Sequence, residues 1–198
     1  MEKFGTERRQ EILEAAMTLF SQKGFERTTV DEIASSANVG KGTVYLYFDN
    51  KEQIFLAIIE KGLLELQELL TDISHTQDFW QQVYKIVYTN LEYVEKHREF
   101  YRLFLKERLN MKLLNHEETH RIIMEKHNML HRLLTEFLQK GIDQGYLRPG
   151  NSHDYCIAVS GILNHFAAIW IMFDSTESLT AKTDTILELI LSGIKKCS

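Results

Sequence analysis

Two short apolar patterns separated by a turn, in residues 29–48, constrain this chain more than any other feature of its sequence. Val30, Ile33, Ala34 and Ala37 recur at helical spacing, and after a break Val39, Val44 and Phe48 mark a second helix. Thr29 with Glu32 fits a capping box, in which the hydroxyl accepts from the amide three residues on while the carboxylate reaches back. Asn38 falls where the chain must turn, and asparagine tolerates left-handed backbone better than any residue but glycine. Gly40 takes the cap position of the second helix; it offers no side-chain acceptor, a deficit of roughly a few tenths of a kcal/mol.

Helices of two turns bury too little apolar surface to stand alone, so their flanks must prop them. On one side Ile12, Leu13, Ala16, Leu19 and Phe20 recur at helical spacing and end at Lys23-Gly24, a cation followed by a glycine stop. On the other, Asn50 is placed to cap a long rod running through Ile54, Phe55, Ile58, Ile59, Leu63, Leu66 and Leu70 toward Thr71. With Val44 and Phe48 inward, Lys41, Gly42, Tyr45 and Leu46 point outward, and Thr43 and Tyr47 lie at the flanks. A helix meant only for solvent has no use for an exposed Tyr and Leu. The pattern predicts a unit that lays its second helix along a nucleic-acid duplex.

Bulk charge gives this reading no help. The net charge is −5, and residues 1–52 carry seven basic against nine acidic side chains. Binding must therefore rest on a few placed contacts and backbone amides, with affinity gained through a dimer. Lys51 sits in the first turn of the long rod, where the helix dipole disfavours a cation unless an anion is near. A DNA phosphate is the expected anion.

These residues resemble the TetR family of bacterial transcription regulators. The resemblance covers about residues 6–66 and rests on Arg9, Ile12, Leu13, Ala15-Ala16, Leu19-Phe20, Gly24-Phe25, Thr29, Ile33-Ala34, Ala37, Val39, Gly42-Thr43-Val44-Tyr45, Tyr47-Phe48 and Lys51-Glu52. It departs at Asn38, where the family usually has Gly, and at Gly40, where it often has Ser. The resemblance implies an all-α fold of about nine helices: a three-helix head joined through helix four to a larger helical domain that dimerises and binds a small molecule, whose binding shifts the heads and weakens operator binding. Carried over by position, Lys41, Gly42, Thr43, Tyr45 and Leu46 come near bases in the major groove of double-stranded DNA, while Thr29, Tyr47 and Lys51 hold phosphates. The expected domains are residues 1–50, the DNA-binding head, and 51–198, for effector and dimer.

Beyond residue 70 the pattern is helical throughout, and a single proline among 198 residues with 44% hydrophobic content argues against both disorder and a many-turned β architecture. The N-terminus has charges but no apolar run behind them, and the two cysteines form no disulfide framework; both point to a cytoplasmic protein. Residues 155–173 are apolar almost throughout, but Ser160, Asn164 and His165 interrupt them, which predicts a buried helix of a soluble protein and not a membrane span. The last two helices are apolar on more than one side and are expected to form a homodimer interface. The abundance of aromatics and methionine predicts an apolar effector cavity. Tyr84, Tyr88, Phe104, Met129 and Trp170 are its candidate walls, with Asn164 and His165 as orienting polar groups, and the effector is expected to be apolar or amphipathic.

His116-Glu117-Glu118-Thr119-His120 matches the zinc-hydrolase pattern H-E-x-x-H, and His127 and His131 repeat the one-turn spacing. Five residues of low information arise by chance, and a helical chain of this size offers little room for a substrate cleft. The expectation is therefore no catalytic residue, no resident metal and no cofactor. The alternatives are a metal- or pH-responsive regulator using the seventh helix, a zinc hydrolase, or a head that binds a partner protein.

Overall fold

The computed structural model describes residues 2–72, 78–109 and 117–194; the side chains of residues 2–6, 106–109, 117–120, 122, 123, 126 and 127 lie outside that description. The described residues fold into α1 (Glu2–Lys23), α2 (Val30–Ser36), α3 (Lys41–Tyr47), α4 (Lys51–Asp72), α5 (Phe79–Lys96), α6 (Arg98–Leu109), α7 (Glu117–Asp143), α8 (Ser152–Met172) and α9 (Thr183–Ile194), with a 3-10 turn at Thr180–Lys182. The all-α class follows the sequence pattern. The 3-10 turn had no apolar period to announce it, and α7 starts ahead of its first apolar marker, Ile122.

The chain divides into two compact units, Met1–Leu63 with Glu99–Met124, and Leu64–Arg98 with Glu125–Ser198. In the first, Ile12, Ala16 and Phe20 of α1, Ile33 of α2, Val44 of α3 and Ile54 of α4 have no exposed surface. Phe20, Phe25 and Phe55 pack as a triangle with ring centroids 5.3, 5.4 and 6.2 Å apart. Truncating a ring so placed costs about 3–5 kcal/mol, which makes the triangle a substantial part of this unit's core. Gly62 brings α4 close against α6: a Cβ there would lie 2.4 Å from the Phe100 ring. Ser21, buried on α1, donates to the Glu99 carboxylate at the start of α6.

In the second unit, Leu91, Cys156 and Ile186 are fully buried on α5, α8 and α9. Asp78 caps α5 through the Trp80 amide at 2.8 Å, and Asn151 caps α8 through the His153 amide at 2.9 Å. Phe79 lies between Phe137 and Tyr146, stacked on both at 5.0 and 4.7 Å. Arg98 lies over Trp170 at 4.1 Å and pairs with Asp174 at 3.0 Å, and the Trp170 indole N–H donates to the Glu177 carbonyl at 2.6 Å. These contacts fasten the segment after α8, which turns through Asp174 at φ 50°.

Candidate nucleic-acid interface

The helix–turn–helix is built largely from its own backbone. Thr29 and Glu32 form the reciprocal capping box: the Glu32 amide donates to the Thr29 hydroxyl at 3.3 Å, and the Thr29 amide donates to the Glu32 carboxylate at 2.9 Å. Lys23 donates to the same carboxylate. That hydrogen bond first, and those from the Thr29 backbone and side chain next, hold the Glu32 carboxyl at about 2, well below its ordinary 4.5. At the far end of α2 the amides of Asn38 and Val39 turn back to the carbonyls of Ser35 and Ala34 at 3.2 and 2.9 Å. Asn38 takes φ 51°, the left-handed conformation its side chain tolerates. The chain then enters α3 through Gly40, at an ordinary extended φ of −72°.

Within α3, Val44 and Phe48 are buried, and the opposite side is open. Leu46 is 82% exposed and Tyr45 47% exposed. Gly42 has nothing within 4 Å of where a Cβ would stand, so its own chain does not require a glycine there. Lys41 is exposed and pairs with Asp31 of α2 at 2.9 Å, and that hydrogen bond raises its pKa. Thr43 and Tyr47 are half-buried at the flanks, and Thr29 is exposed with its hydroxyl engaged by Glu32. Seven of the eight candidate residues are thus exposed or half-buried on α3 and at the cap of α2.

Lys51 is placed differently from the sequence expectation. Its ammonium turns inward, donating to the carbonyls of Phe25 at 2.8 Å and Thr28 at 2.9 Å, with that of Glu26 at 3.5 Å. It also lies 4.2 Å from the centroid of the Phe25 ring. In the free chain its partners are carbonyls 23 to 26 residues earlier in sequence, which no local pattern announces.

The candidate effector residues are more scattered than expected. Tyr84 and Tyr88 stack on each other at 6.0 Å on the exposed side of α5. Met129, Asn164 and His165 are exposed, Trp170 is buried under Arg98, and Phe104, half-buried, stacks on Phe100 in the first unit. None of them lines the apolar cavity of about 20 Å³ among α5, α7, α8 and α9. Its walls include Phe79, Val83 and Val87, with Leu134, Phe137 and Ile190, and every lining side chain is apolar. Residue type selected bulky side chains, but an helix apolar on all sides does not reveal which side faces inward.

Of the histidine pattern, His116 and the side chains of His120 and His127 lie outside the described residues. His131 Nδ1 lies 3.5 Å from the Cys156 sulfur. Among the described residues no three His, Cys, Asp or Glu side chains cluster as a metal site.

Comparison with known proteins agrees with the geometry of the head. The family model of bacterial regulatory proteins of the tetR family matches residues 12–58. An HTH-type transcriptional regulator of Bacillus subtilis, YfiR, is 33% identical over 142 residues, 72% of this chain and 69% of its own length. The fatty acid metabolism regulator protein of the same organism is 25% identical over 188 residues, 93% of this chain and 94% of its own. In fold, the chain is similar to the transcriptional regulator FadR from Bacillus subtilis solved in complex with stearoyl-CoA, with a TM-score of 0.78, 23% identity, and coverage of 93% of this chain and 98% of that one. The capped two-helix unit with its open α3 side is therefore the reading head of a DNA-binding, ligand-responsive transcriptional regulator, and the chain belongs to the TetR family.

Proposed function

We propose that the protein is a cytoplasmic homodimeric repressor that leaves a palindromic operator when a long-chain acyl thioester binds, and that it catalyses no reaction. The observation that carries the DNA half of this reading is Leu46, 82% exposed on a helix of two turns beside Tyr45 and an unobstructed Gly42. Residues 1–50 act as the head. Lys41, Gly42, Thr43, Tyr45 and Leu46 approach bases, and Thr29 and Tyr47 approach the backbone. Two heads related by a twofold axis then present α3 about 35 Å apart, one turn of DNA.

Dimerisation is assigned to α8 and α9. α8 is long and apolar enough to cross a membrane by length and composition, yet only 33% of that apolar window is buried within the chain. Ile157, Ile169, Met172 and Phe173, with Leu189 of α9, are left exposed. A second copy meeting this face would cover it with a four-helix packing.

The acyl assignment is supported by the relative solved with stearoyl-CoA and by the wholly apolar lining of the cavity in the second unit. At about 20 Å³ the cavity holds little more than a water. A chain of eighteen carbons needs on the order of 300 Å³ or more. Binding in this cavity must therefore widen it, which gives the ligand a conformation to select. The test is retardation of DNA from upstream of the protein's own gene. Stearoyl-CoA should release it and coenzyme A alone should not, and the double substitution Tyr45→Ala, Leu46→Ala should abolish binding in a folded protein. Release by neither compound would end the acyl reading, and undiminished binding by the double variant would end the assignment of α3.

A further inference from the structure

We propose that Asp31 reads DNA together with Lys41, the ion pair between α2 and α3 recognising one G·C base pair in the major groove of each half-site. The Lys41 ammonium donates to the Asp31 carboxylate at 2.9 Å, ten residues earlier in sequence and across the turn between the two helices. Lys41 is the first residue of α3, and the first residues of a recognition helix are the ones that meet base edges. The inference rests on the assignment of α3 as the reading helix.

The fold gives Asp31 little else to do. Glu32, its neighbour, already supplies the carboxylate of the capping box that opens α2. The side chains of Lys41 and Asp31 are 51% and 65% exposed, and a bridge so open to water adds little to stability. Among the described residues, Lys41 is the only side chain paired with Asp31.

The chemistry of this pair complements that of a base pair. G·C presents two acceptors to the major groove, guanine N7 and O6, and then one donor, the cytosine N4 amine. Lys41 keeps two donors after its bond to Asp31, and Asp31 keeps a free acceptor oxygen. The ammonium faces the guanine while the carboxylate accepts from the cytosine amine. Guanine O6 and cytosine N4 are themselves about 2.9 Å apart across their own hydrogen bond, which is the spacing of the two charged groups. An A·T pair reverses the last two groups, setting the adenine amine against the ammonium and thymine O4 against the carboxylate. The carboxylate also competes with phosphates for Lys41, which favours base edges over the backbone.

The test is to sequence the duplexes that the full-length protein retains from a randomised pool. The wild type should select a G·C pair at one fixed position in each half-site. Asp31→Ala and Lys41→Ala should each relax that position alone, weakening its preference about tenfold. On a mixed-sequence duplex, Asp31→Ala frees Lys41 for a phosphate, so binding should tighten and the slope of log K against log salt should steepen by about 0.9 per head. N4-methylcytosine keeps the Watson–Crick pair but replaces the N–H that faces the major groove. Placed in the selected site it should weaken the wild type about tenfold, a measurement that requires no variant to fold. A folded Asp31→Ala whose selected sites or salt slope match the wild type, or a wild type indifferent to N4-methylcytosine, overturns the proposal. A pool from which the wild type selects nothing would instead refute α3 as the reading helix, and the proposal with it.

Discussion

Replacing Gly161 by alanine separates a property of the single chain from a property of the proposed dimer, because the two respond with opposite sign. Gly161 lies within α8, and a Cβ built there meets nothing within 4 Å. In an exposed helix interior, glycine is about 1 kcal/mol less favourable than alanine, so the chain alone offers no reason for it. Gly161→Ala should stabilise the protomer by about 1 kcal/mol, and for a chain of this length that raises the unfolding midpoint by about 2–4 °C. Close approach of a partner helix supplies the missing reason, since Ile157, Asn164 and His165 are exposed within one turn of it. Inserting a methyl into a packed crossing costs about 1–3 kcal/mol. A twofold axis incurs that cost on both protomers, so the dissociation constant should rise by roughly 30-fold to 10⁴-fold. Sedimentation velocity over a dilution series reads the second number, and thermal unfolding of the dissociated variant reads the first. A higher midpoint with an unchanged dissociation constant would show that α8 does not pack against a partner at this point.

Two further substitutions probe the first unit. Gly62→Ala, the same chemical change, places a Cβ 2.4 Å from the Phe100 ring, so overpacking of about 1–3 kcal/mol should outweigh the helix gain of about 1 and lower the midpoint of thermal unfolding; a raised midpoint would refute the close approach of α4 and α6. The Glu32 carboxyl is held at about 2 below an unfolded value of 4.5, so the capping box contributes stability that is fully present above pH 4.5 and is lost as pH falls from there toward 2. A carbon-13 titration should place its midpoint near 2 and Lys23→Met should raise it, whereas a wild-type midpoint at 4.5 would remove Lys23 and Thr29 as the cause.

What the sequence discloses about the head is what lies within one or two helical turns. The Thr29–Glu32 box spans three residues, Asn38 reports its own backbone conformation, and the burial of Val44 and Phe48 against the exposure of Tyr45 and Leu46 is a matter of period. Partners that lie further away in sequence are not legible in it. Lys51 reaches carbonyls 23 to 26 residues upstream, and Lys41 reaches Asp31 ten residues away across the turn between helices. A first-turn lysine announces that it needs an anion but not which one. The second unit is harder for a different reason. α8 is apolar around most of its circumference, so periodicity identifies a helix without saying which side meets its own chain, and Asn164 and His165, expected to orient an effector, face outward.

The same pairs bear on how an acidic chain holds DNA. Lys23 and Lys41 already have carboxylate partners in Glu32 and Asp31, and in the free chain Lys51 donates to carbonyls. In the proposed complex a phosphate arriving at Lys41 would gain only the difference between itself and Asp31. On this reading a single head contributes little counterion release and binds weakly, with Tyr45, Leu46 and the shape of α3 discriminating among sequences. Pairing two weak heads multiplies affinity by on the order of 10²–10⁴, provided both can engage at once. The multiplication disappears when geometry forbids the second contact. A ligand that widens the proposed cavity thus has no need to alter the reading surface. It has only to favour a dimer whose heads no longer match one turn of DNA, and a coupling of about 1–3 kcal/mol is enough to do so.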